Sequence, residues 1–263
     1  MSSFTLNLNS SDSSAVGVSG DYNVKLSTPI YLGREPYEIG LVSCNLWYSY
    51  PNVSATSYDN ARFTYSDDAG VTWYNIDFPE GTYTITDLNS YIYDQLVING
   101  HDDVDMDGTP SIILRPNYNT LKIEIEITEV NFQVDLGTSN FYELLGFSAA
   151  QAASPLITVA IHEGDDLANI NNDINKLVIG SSLLSTSGAT FDNATIGTTL
   201  YSFVPNSAPG SNLDVIPSER LYIPMNADLQ ITNIRMYIRD NLGRALDFRG
   251  EPISYLLHIR KIK

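Results

Sequence analysis

The clearest signal for the fold lies in residues 229–262, which read LQITNIRMYIRDNLGRALDFRGEPISYLLHIRKI. Apolar and polar residues alternate through both halves of this stretch, which is typical of strands with one buried face. Leu229 and Ile231 share one parity, whereas Ile234 begins a run with the opposite parity. A slip of one residue turns every side chain to the other face of a sheet, so we predict a β-bulge near Thr232 and Asn233.

The same alternation extends through the rest of the chain in short runs separated by Gly, Pro, Asn, Asp and Ser. Such runs are typical of an all-β sandwich or barrel of antiparallel strands. The predicted strands are residues 4–8, 22–26, 36–44, 62–65, 71–76, 111–115, 121–128, 156–161, 176–179, 198–204, 220–224, 229–239, 245–248 and 253–262.

Two segments depart from the strand pattern and predict short helices. In residues 87–98 the apolar positions lie three or four apart, Thr86 is placed to cap the first turn, and Gly100 is a stop signal. A second helical turn is predicted over residues 140–145, with Asn140 in a capping box. Helix is therefore the minor component.

No charged or Pro-rich linker and no internal repeat divides the chain. A length of 263 residues suffices for one large β domain or two small ones. We therefore predict one domain, 1–263, with long loops near 148–172 and 180–218 and a Ser/Gly-rich surface connection over 10–20.

The charge balance is strongly acidic, with 31 Asp and Glu against 14 Lys and Arg, a net charge of −17. A wide positive face that would release counterions from a polyphosphate is excluded, and general nucleic-acid binding with it. The single cysteine, Cys44, cannot form an internal disulfide, the first twenty residues lack a signal-peptide pattern, and no apolar run reaches the length of a membrane-spanning helix. We expect a reduced compartment and no membrane span.

The charge is also unevenly distributed along the sequence. Residues 235–263 contain seven basic and three acidic residues, a balance of +4, which leaves −21 for the remainder. One interpretation is the solvated side of a terminal hairpin. The other is complementary contact between neighbouring subunits, with Arg235, Arg239 and Arg260 as interface candidates.

A dense aromatic segment follows one predicted strand at residues 46–51 and supplies the interface candidates Trp47, Tyr48 and Tyr50. Trp and Tyr concentrate at protein interfaces, although they also fill cores. Both interpretations of this segment remain open from the sequence.

An acidic turn, HDDVDMDG at residues 101–108, matches the first half of a calcium loop through Asp103, Asp105 and Asp107. The twelfth position of that loop is Leu114 rather than a bidentate Glu, and a strand rather than a helix is predicted to follow. A solvated acidic turn is the favoured interpretation, and calcium binding is a weaker hypothesis.

The three histidines, His101, His162 and His258, lie far apart, and no zinc spacing, phosphate loop, dinucleotide fingerprint or nucleophile elbow is present. His258 alternates with apolar neighbours, which predicts a solvent-side or interface position. We therefore expect no catalytic residues, no cofactor and no enzyme activity.

Several short segments together resemble one family, the penton-type minor capsid proteins of Polinton (Maverick) elements, virophages and related double-stranded DNA viruses. The resemblance covers most of the chain in the same order. The segments that carry it are Ile30-Tyr31-Leu32, Glu38-Ile39-Gly40-Leu41, Trp47-Tyr48-Ser49-Tyr50-Pro51, Gly81-Thr82-Tyr83, Leu144-Leu145-Gly146-Phe147, Leu221-Tyr222-Ile223-Pro224, Ile238-Arg239-Asp240-Asn241-Leu242-Gly243-Arg244, Asp247-Phe248-Arg249-Gly250-Glu251-Pro252 and Leu256-Leu257-His258-Ile259-Arg260.

This resemblance implies a single jelly-roll β-sandwich of two antiparallel sheets that assembles as a pentamer at capsid vertices. It implies the chain itself and the major capsid protein as partners, and a place in the virion after synthesis in the host cytoplasm or nucleus. An alternative from another class is a receptor-attachment or carbohydrate-binding jelly-roll module. A cupin-type enzyme is least favoured, because cupins need clustered metal ligands.

Overall fold

The computed structural model describes residues 3–12, 14–103, 108–157, 159–184, 190–192, 195–197, 199–226 and 230–262. Strands predominate in these residues, and the named strands pair in antiparallel fashion. In chain order the elements are β1 (Ser3–Asn9), β2 (Ala15–Val18), β3 (Asp21–Tyr31), β4 (Tyr37–Trp47), β5 (Arg62–Ser66), β6 (Tyr74–Asp77), α1 (Ile85–Asn99), β7 (Ile112–Asn117), β8 (Lys122–Ile127), β9 (Gln133–Asp135), α2 (Phe141–Leu145), α3 (Ala149–Ala152), β10 (Leu156–Ile157), β11 (Ala160–Glu163), β12 (Leu177–Ser181), β13 (Thr190–Asp192), β14 (Thr195–Gly197), β15 (Thr199–Phe203), β16 (Asn212–Val215), β17 (Ile223–Pro224), β18 (Gln230–Asp240) and β19 (Ser254–Lys261).

The chain divides into two compact units. The terminal unit comprises Met1–Tyr50 and Ile174–Lys263, and the inserted unit comprises Pro51–Asp173. Each unit encloses a hydrophobic cluster of its own. One unit is thus built from both ends of the chain, and the other is inserted in the sequence after β4.

The strand order of the two large sheets of the terminal unit identifies its fold. One sheet has the order β1-β19-β4-β16, and the other has the order β15-β12-β18-β3-β2. Without the short strands β2 and β17, the two sheets contain eight strands, which we number one to eight along the chain: β1, β3, β4, β12, β15, β16, β18 and β19. In these numbers, the strand orders of the two sheets are 1-8-3-6 and 5-4-7-2. This is the strand order of a jelly roll. The predicted fold class, an all-β single jelly roll of two antiparallel sheets, is confirmed for this unit.

Alternating side chains build the core of the terminal unit. In β19, Tyr255, Leu257 and Ile259 are fully buried, while the residues between them are at least partly exposed. The pairing of β18 with β3 shifts register between Ile231 and Asn233, so the predicted bulge is confirmed. Without that shift, the two apolar runs of β18 would face opposite sides of the sheet.

The inserted unit combines two smaller sheets, β10-β9-β5-β6 and β11-β8-β7, with helix α1. The predicted helix is confirmed, but its cap is Thr84 rather than Thr86. The Thr84 side chain accepts a hydrogen bond from the backbone of Asp87, and the Asp87 carboxylate accepts one from the backbone of Thr84. This reciprocal capping box begins the helix one residue after Thr84, and Gly100 ends it in the left-handed conformation.

Several local predictions differ from the structure. The predicted surface connection over residues 10–20 contains β2, and the predicted strand 156–161 divides between two sheets as β10 and β11. Besides β15, which matches the predicted strand 198–204, the predicted loop 180–218 contains β13, β14 and β16. Residues 245–248 form a single bridge, at Ala245, instead of a strand. Asn140 precedes α2 without a side-chain cap, whereas Ser148 forms a capping box on α3. The positions of edge strands and helix caps depend on tertiary neighbours, which the spacing of apolar residues along the sequence does not show.

Candidate assembly surface

The aromatic segment after β4 contains rings with different environments. Trp47 ends β4 with 39% of its surface exposed, whereas Tyr50 is only 3% exposed. Tyr48 stacks on Tyr50 with ring centroids 4.6 Å apart, and Phe248 meets Tyr50 edge-on at 5.7 Å. Of the three interface candidates, Trp47 is therefore available to a partner, Tyr48 is half-buried, and Tyr50 is a core residue that supports Tyr48.

Two of the arginine candidates lie on the outward side of β18 and share one acidic partner. Arg235 donates to both carboxylate oxygens of Asp21, at 2.7 and 2.6 Å, and Arg239 approaches the same carboxylate at 3.8 Å. The Arg235 guanidinium holds the pKa of Asp21 below its ordinary value, and Asp21 in turn raises the pKa of Arg235. The bidentate pair therefore stays charged at neutral pH and orders the Arg235 side chain.

Tyr237 lies between these arginines on the same face of the sheet. The Arg235 and Arg239 guanidinium carbons lie 5.6 and 5.3 Å from its ring centroid, within the range of a cation–π contact. On the neighbouring strand its register partner is Gly180, where an added Cβ would overlap the Tyr237 ring. Glycine at this position is what allows the ring to lie across β12.

The third arginine candidate, Arg260, belongs to a cluster on the other sheet. Its Nε donates to Glu38 at 2.6 Å, and its guanidinium carbon lies 3.5 Å from the ring centroid of Tyr222. The Tyr222 hydroxyl lies 2.8 Å from Nδ1 of His258, which occupies the face opposite the buried residues of β19, as predicted. The guanidinium is thereby held over the Tyr222 ring and beside Glu38, with 46% of the Arg260 side chain exposed.

The basic stretch 235–263 is not a free positive surface. At least five of the seven basic residues in this stretch form ion pairs with carboxylates of the terminal unit. Arg244, for example, donates to the buried Asp240 at 2.5 Å, and the Lys261 amine lies 3.1 Å from the Glu35 carboxylate. The sequence balance of +4 is therefore largely neutralised in the fold. Apart from the pair at the buried Asp240, these ion pairs are exposed, so they contribute little stability but fix side-chain positions.

The charge separates by unit instead of by sequence segment. The terminal unit contains 11 basic and 11 acidic residues and has no net charge. The inserted unit contains 3 basic and 20 acidic residues, so it carries the whole net charge of −17. Like charges of this size repel over about 10 Å at 0.1 M salt, so the inserted unit opposes contact with a second inserted unit.

The acidic turn provides one described calcium candidate. Asp103 accepts a hydrogen bond from the backbone of Gly108 at 2.8 Å, while Asp105 and Asp107 lie outside the described residues. Within the described ranges, no group of three or more His, Cys, Asp and Glu side chains is placed to hold a metal ion.

The other two histidines make separate local contacts in the inserted unit. Nδ1 of His101 lies 3.0 Å from the Tyr65 hydroxyl and its Nε2 lies 3.2 Å from Asp67. Nε2 of His162 lies 2.8 Å from the Ile157 carbonyl oxygen. Among the described residues, no helix combines the length and apolar character needed to cross a membrane.

Two solved virophage structures are similar to this chain. The mavirus penton protein aligns over 100% of both chains, with 14% identity and a TM-score of 0.48. A chain in a cryo-EM structure of the Sputnik virophage aligns over 99% of this chain and 98% of its own length, with 12% identity and a TM-score of 0.43. No protein-family model matches this chain, and no curated protein matches its sequence.

Proposed function

We propose that this chain is a capsid structural protein of the penton type, which assembles as a homopentamer and contacts the major capsid protein in the virion. The observation that supports it most is the complete jelly-roll strand order of the terminal unit. Jelly rolls occur in capsid proteins, lectins and cupins, so the fold by itself does not select among them. The ordered sequence resemblance to penton-type proteins selects the first.

The charge distribution supports the terminal unit as the surface through which copies associate. Identical copies present identical charges, so a contact through a neutral unit has no net repulsion to overcome. The inserted unit, with −17, is the part of the chain least suited to contact its own copy. It is better suited to solvent or to a basic partner.

Trp47, Arg235, Arg239 and Arg260 are the proposed contact residues. Trp and Arg are enriched among the residues that dominate binding energy at interfaces. The three arginines are between 36% and 46% exposed, and each is already ordered by a carboxylate and a tyrosine ring. Preordered side chains lose less entropy when a partner binds.

We expect the purified protein to have about five times the mass of one 29.1 kDa chain when analysed by light scattering and native mass spectrometry. Raising the salt from about 0.01 to about 0.1 M should increase the assembled fraction, because the Debye length falls from about 30 to about 10 Å. Salt weakens the repulsion between the inserted units of neighbouring copies more than it weakens any attraction between copies by the three arginines, because those arginines already form ion pairs within their own copy.

The other outcomes of this measurement are also informative. A monomer at every concentration and salt contradicts the proposal, and a monomer that binds on a glycan array favours the attachment alternative. A trimer contradicts a penton role and points to another capsid or spike component.

Truncation of Trp47 tests the proposed contact directly. We expect Trp47→Ala to raise the concentration at which half of the chains assemble by about thirtyfold, as for a central interface residue. Tyr31→Ala is the matched control, because Tyr31 is an aromatic residue of the same unit that is even more exposed, at 74%. Equal effects of the two substitutions, with unchanged thermal midpoints, would remove Trp47 from the interface.

A further inference from the structure

Strand β1 forms an open edge of the terminal unit. Its residues Ser3–Asn9 pair along their full length with Ser254–Arg260 of β19. No described strand pairs with its other side. The other described edge strands of this unit are shorter: β15 has five residues, β2 and β16 have four each, β13 and β14 have three each, and β17 has two.

The direction of each backbone group of β1 follows from the antiparallel register. The N–H of Ser10 donates to the carbonyl of Ile253 at 2.9 Å, and the N–H of Ile253 donates to the Ser10 Oγ at 2.8 Å, so the two residues face each other as a hydrogen-bonded pair does. Such pairs recur at every second residue, so Leu6 and Leu8 bond to β19. Thr5 and Asn7 therefore direct N–H and C=O groups toward the open edge.

This edge lacks the features that prevent strand addition. Natural edge strands are protected by charged residues, proline, bulges or short length. The sequence SFTLNLN of β1 contains no charge and no proline, and its register with β19 is uninterrupted. By contrast, β17 contains Pro224, and the register of β12 with β15 shifts at Gly180.

We propose that the open edge of β1 adds a strand from a second copy of this chain, so that the sheet continues across the boundary between copies. This inference rests on the proposed function, for which it names the contact. Only an extended backbone presents donors and acceptors at the spacing of Thr5 and Asn7. The edge is uncharged and belongs to a unit without net charge, so an identical copy meets no electrostatic penalty. Pairing with a different edge of the next copy is a head-to-tail contact, the kind that closes rings.

Hydrogen exchange on the unmodified protein tests this contact. In the assembled protein, the amides of Thr5 and Asn7 should exchange about a hundredfold more slowly than in the diluted monomer. The amides of Leu6 and Leu8 serve as internal controls, because they are bonded to β19 in both states. Equal exchange of Thr5 and Asn7 in the two states would overturn the inference.

Proline substitution removes a single outward donor. Thr5→Pro and Asn7→Pro delete N–H groups at the open edge and leave the bonds to β19, and proline is tolerated at such positions. We expect each substitution to raise the half-assembly concentration at least about tenfold. The matched controls Thr5→Val and Asn7→Ser keep the N–H and should assemble as the wild type does.

The outcomes separate this inference from the function on which it rests. A wild-type pentamer that is insensitive to both prolines overturns the strand addition and leaves the penton proposal standing. A wild-type chain that never assembles overturns the penton proposal itself. If the proline variants lose their near-UV circular dichroism, the exchange experiment on the wild type decides.

Discussion

Replacing Phe248 with alanine is expected to lower the free energy of unfolding of the terminal unit by about 3 to 5 kcal/mol. The Phe248 ring is fully buried, and Tyr50 packs edge-on against it with centroids 5.7 Å apart. Gly20 lies directly against the ring, since a Cβ added at Gly20 would come within 2.9 Å of it. The alanine variant leaves a cavity between the Gly20 backbone and the Tyr50 ring, and neither neighbour can move far enough to fill it. Urea denaturation monitored by tyrosine and tryptophan fluorescence measures the loss.

A conservative variant gives the matched control for Phe248. Phe248→Leu keeps most of the buried apolar area and should lose less than half as much stability as Phe248→Ala. Loss of less than about 1 kcal/mol in the alanine variant would show that the pocket collapses or that the ring is not part of the core. Since Tyr48 rests on Tyr50, Phe248→Ala should also weaken assembly.

Replacing Asp240 with alanine is expected to lower the free energy of unfolding by about 3 kcal/mol, because it removes a buried carboxylate that pairs with Arg244 and accepts the hydrogen bonds of a turn. The fully buried carboxylate accepts hydrogen bonds from the backbone of Leu242 at 2.9 Å, the backbone of Arg244 at 2.8 Å and the Arg244 Nε at 2.5 Å. Alanine leaves all three donors without this partner. The loss is large because donors in a partly buried turn cannot all be rehydrated.

Two further variants determine the cause of the Asp240 effect. Asp240→Asn retains one acceptor oxygen and should show an intermediate loss in the same denaturation experiment. Asp214→Ala removes an exposed carboxylate from the same unit and should change stability by less than about 0.5 kcal/mol. Equal losses in the alanine variants at 240 and 214 would contradict a specific role for the buried carboxylate.

Local patterns predicted much of the fold correctly because the responsible forces act over a few residues. The parity change between Ile231 and Ile234 predicted a bulge, because both apolar runs have to face one core. The spacing of Leu88, Ile92 and Leu96 predicted α1, since those positions share one helix face. Strand β2 was missed because Val16 and Val18 are exposed at a sheet edge and show no buried face.

The candidate assembly surface was predicted only in part. Trp47 and Tyr50 are close neighbours in one aromatic segment, and only the packing of Phe248 against Tyr50 shows that the second ring belongs to the core. The arginines were correctly placed on strands by their alternation. Their partners, Asp21 and Glu38, lie 214 and 222 residues away in the sequence, beyond any local pattern.

The sequence by itself determined the strand-rich composition, the inward and outward residues of each long strand, and the total charge of −17. These depend on residue type and on the two-residue period of a strand. The tertiary structure decided the jelly-roll order, the insertion after β4 and the confinement of the net charge to the inserted unit. Among the described strands, it also left β1 with one edge unpaired, because long-range pairing and shared burial decide which strands become neighbours.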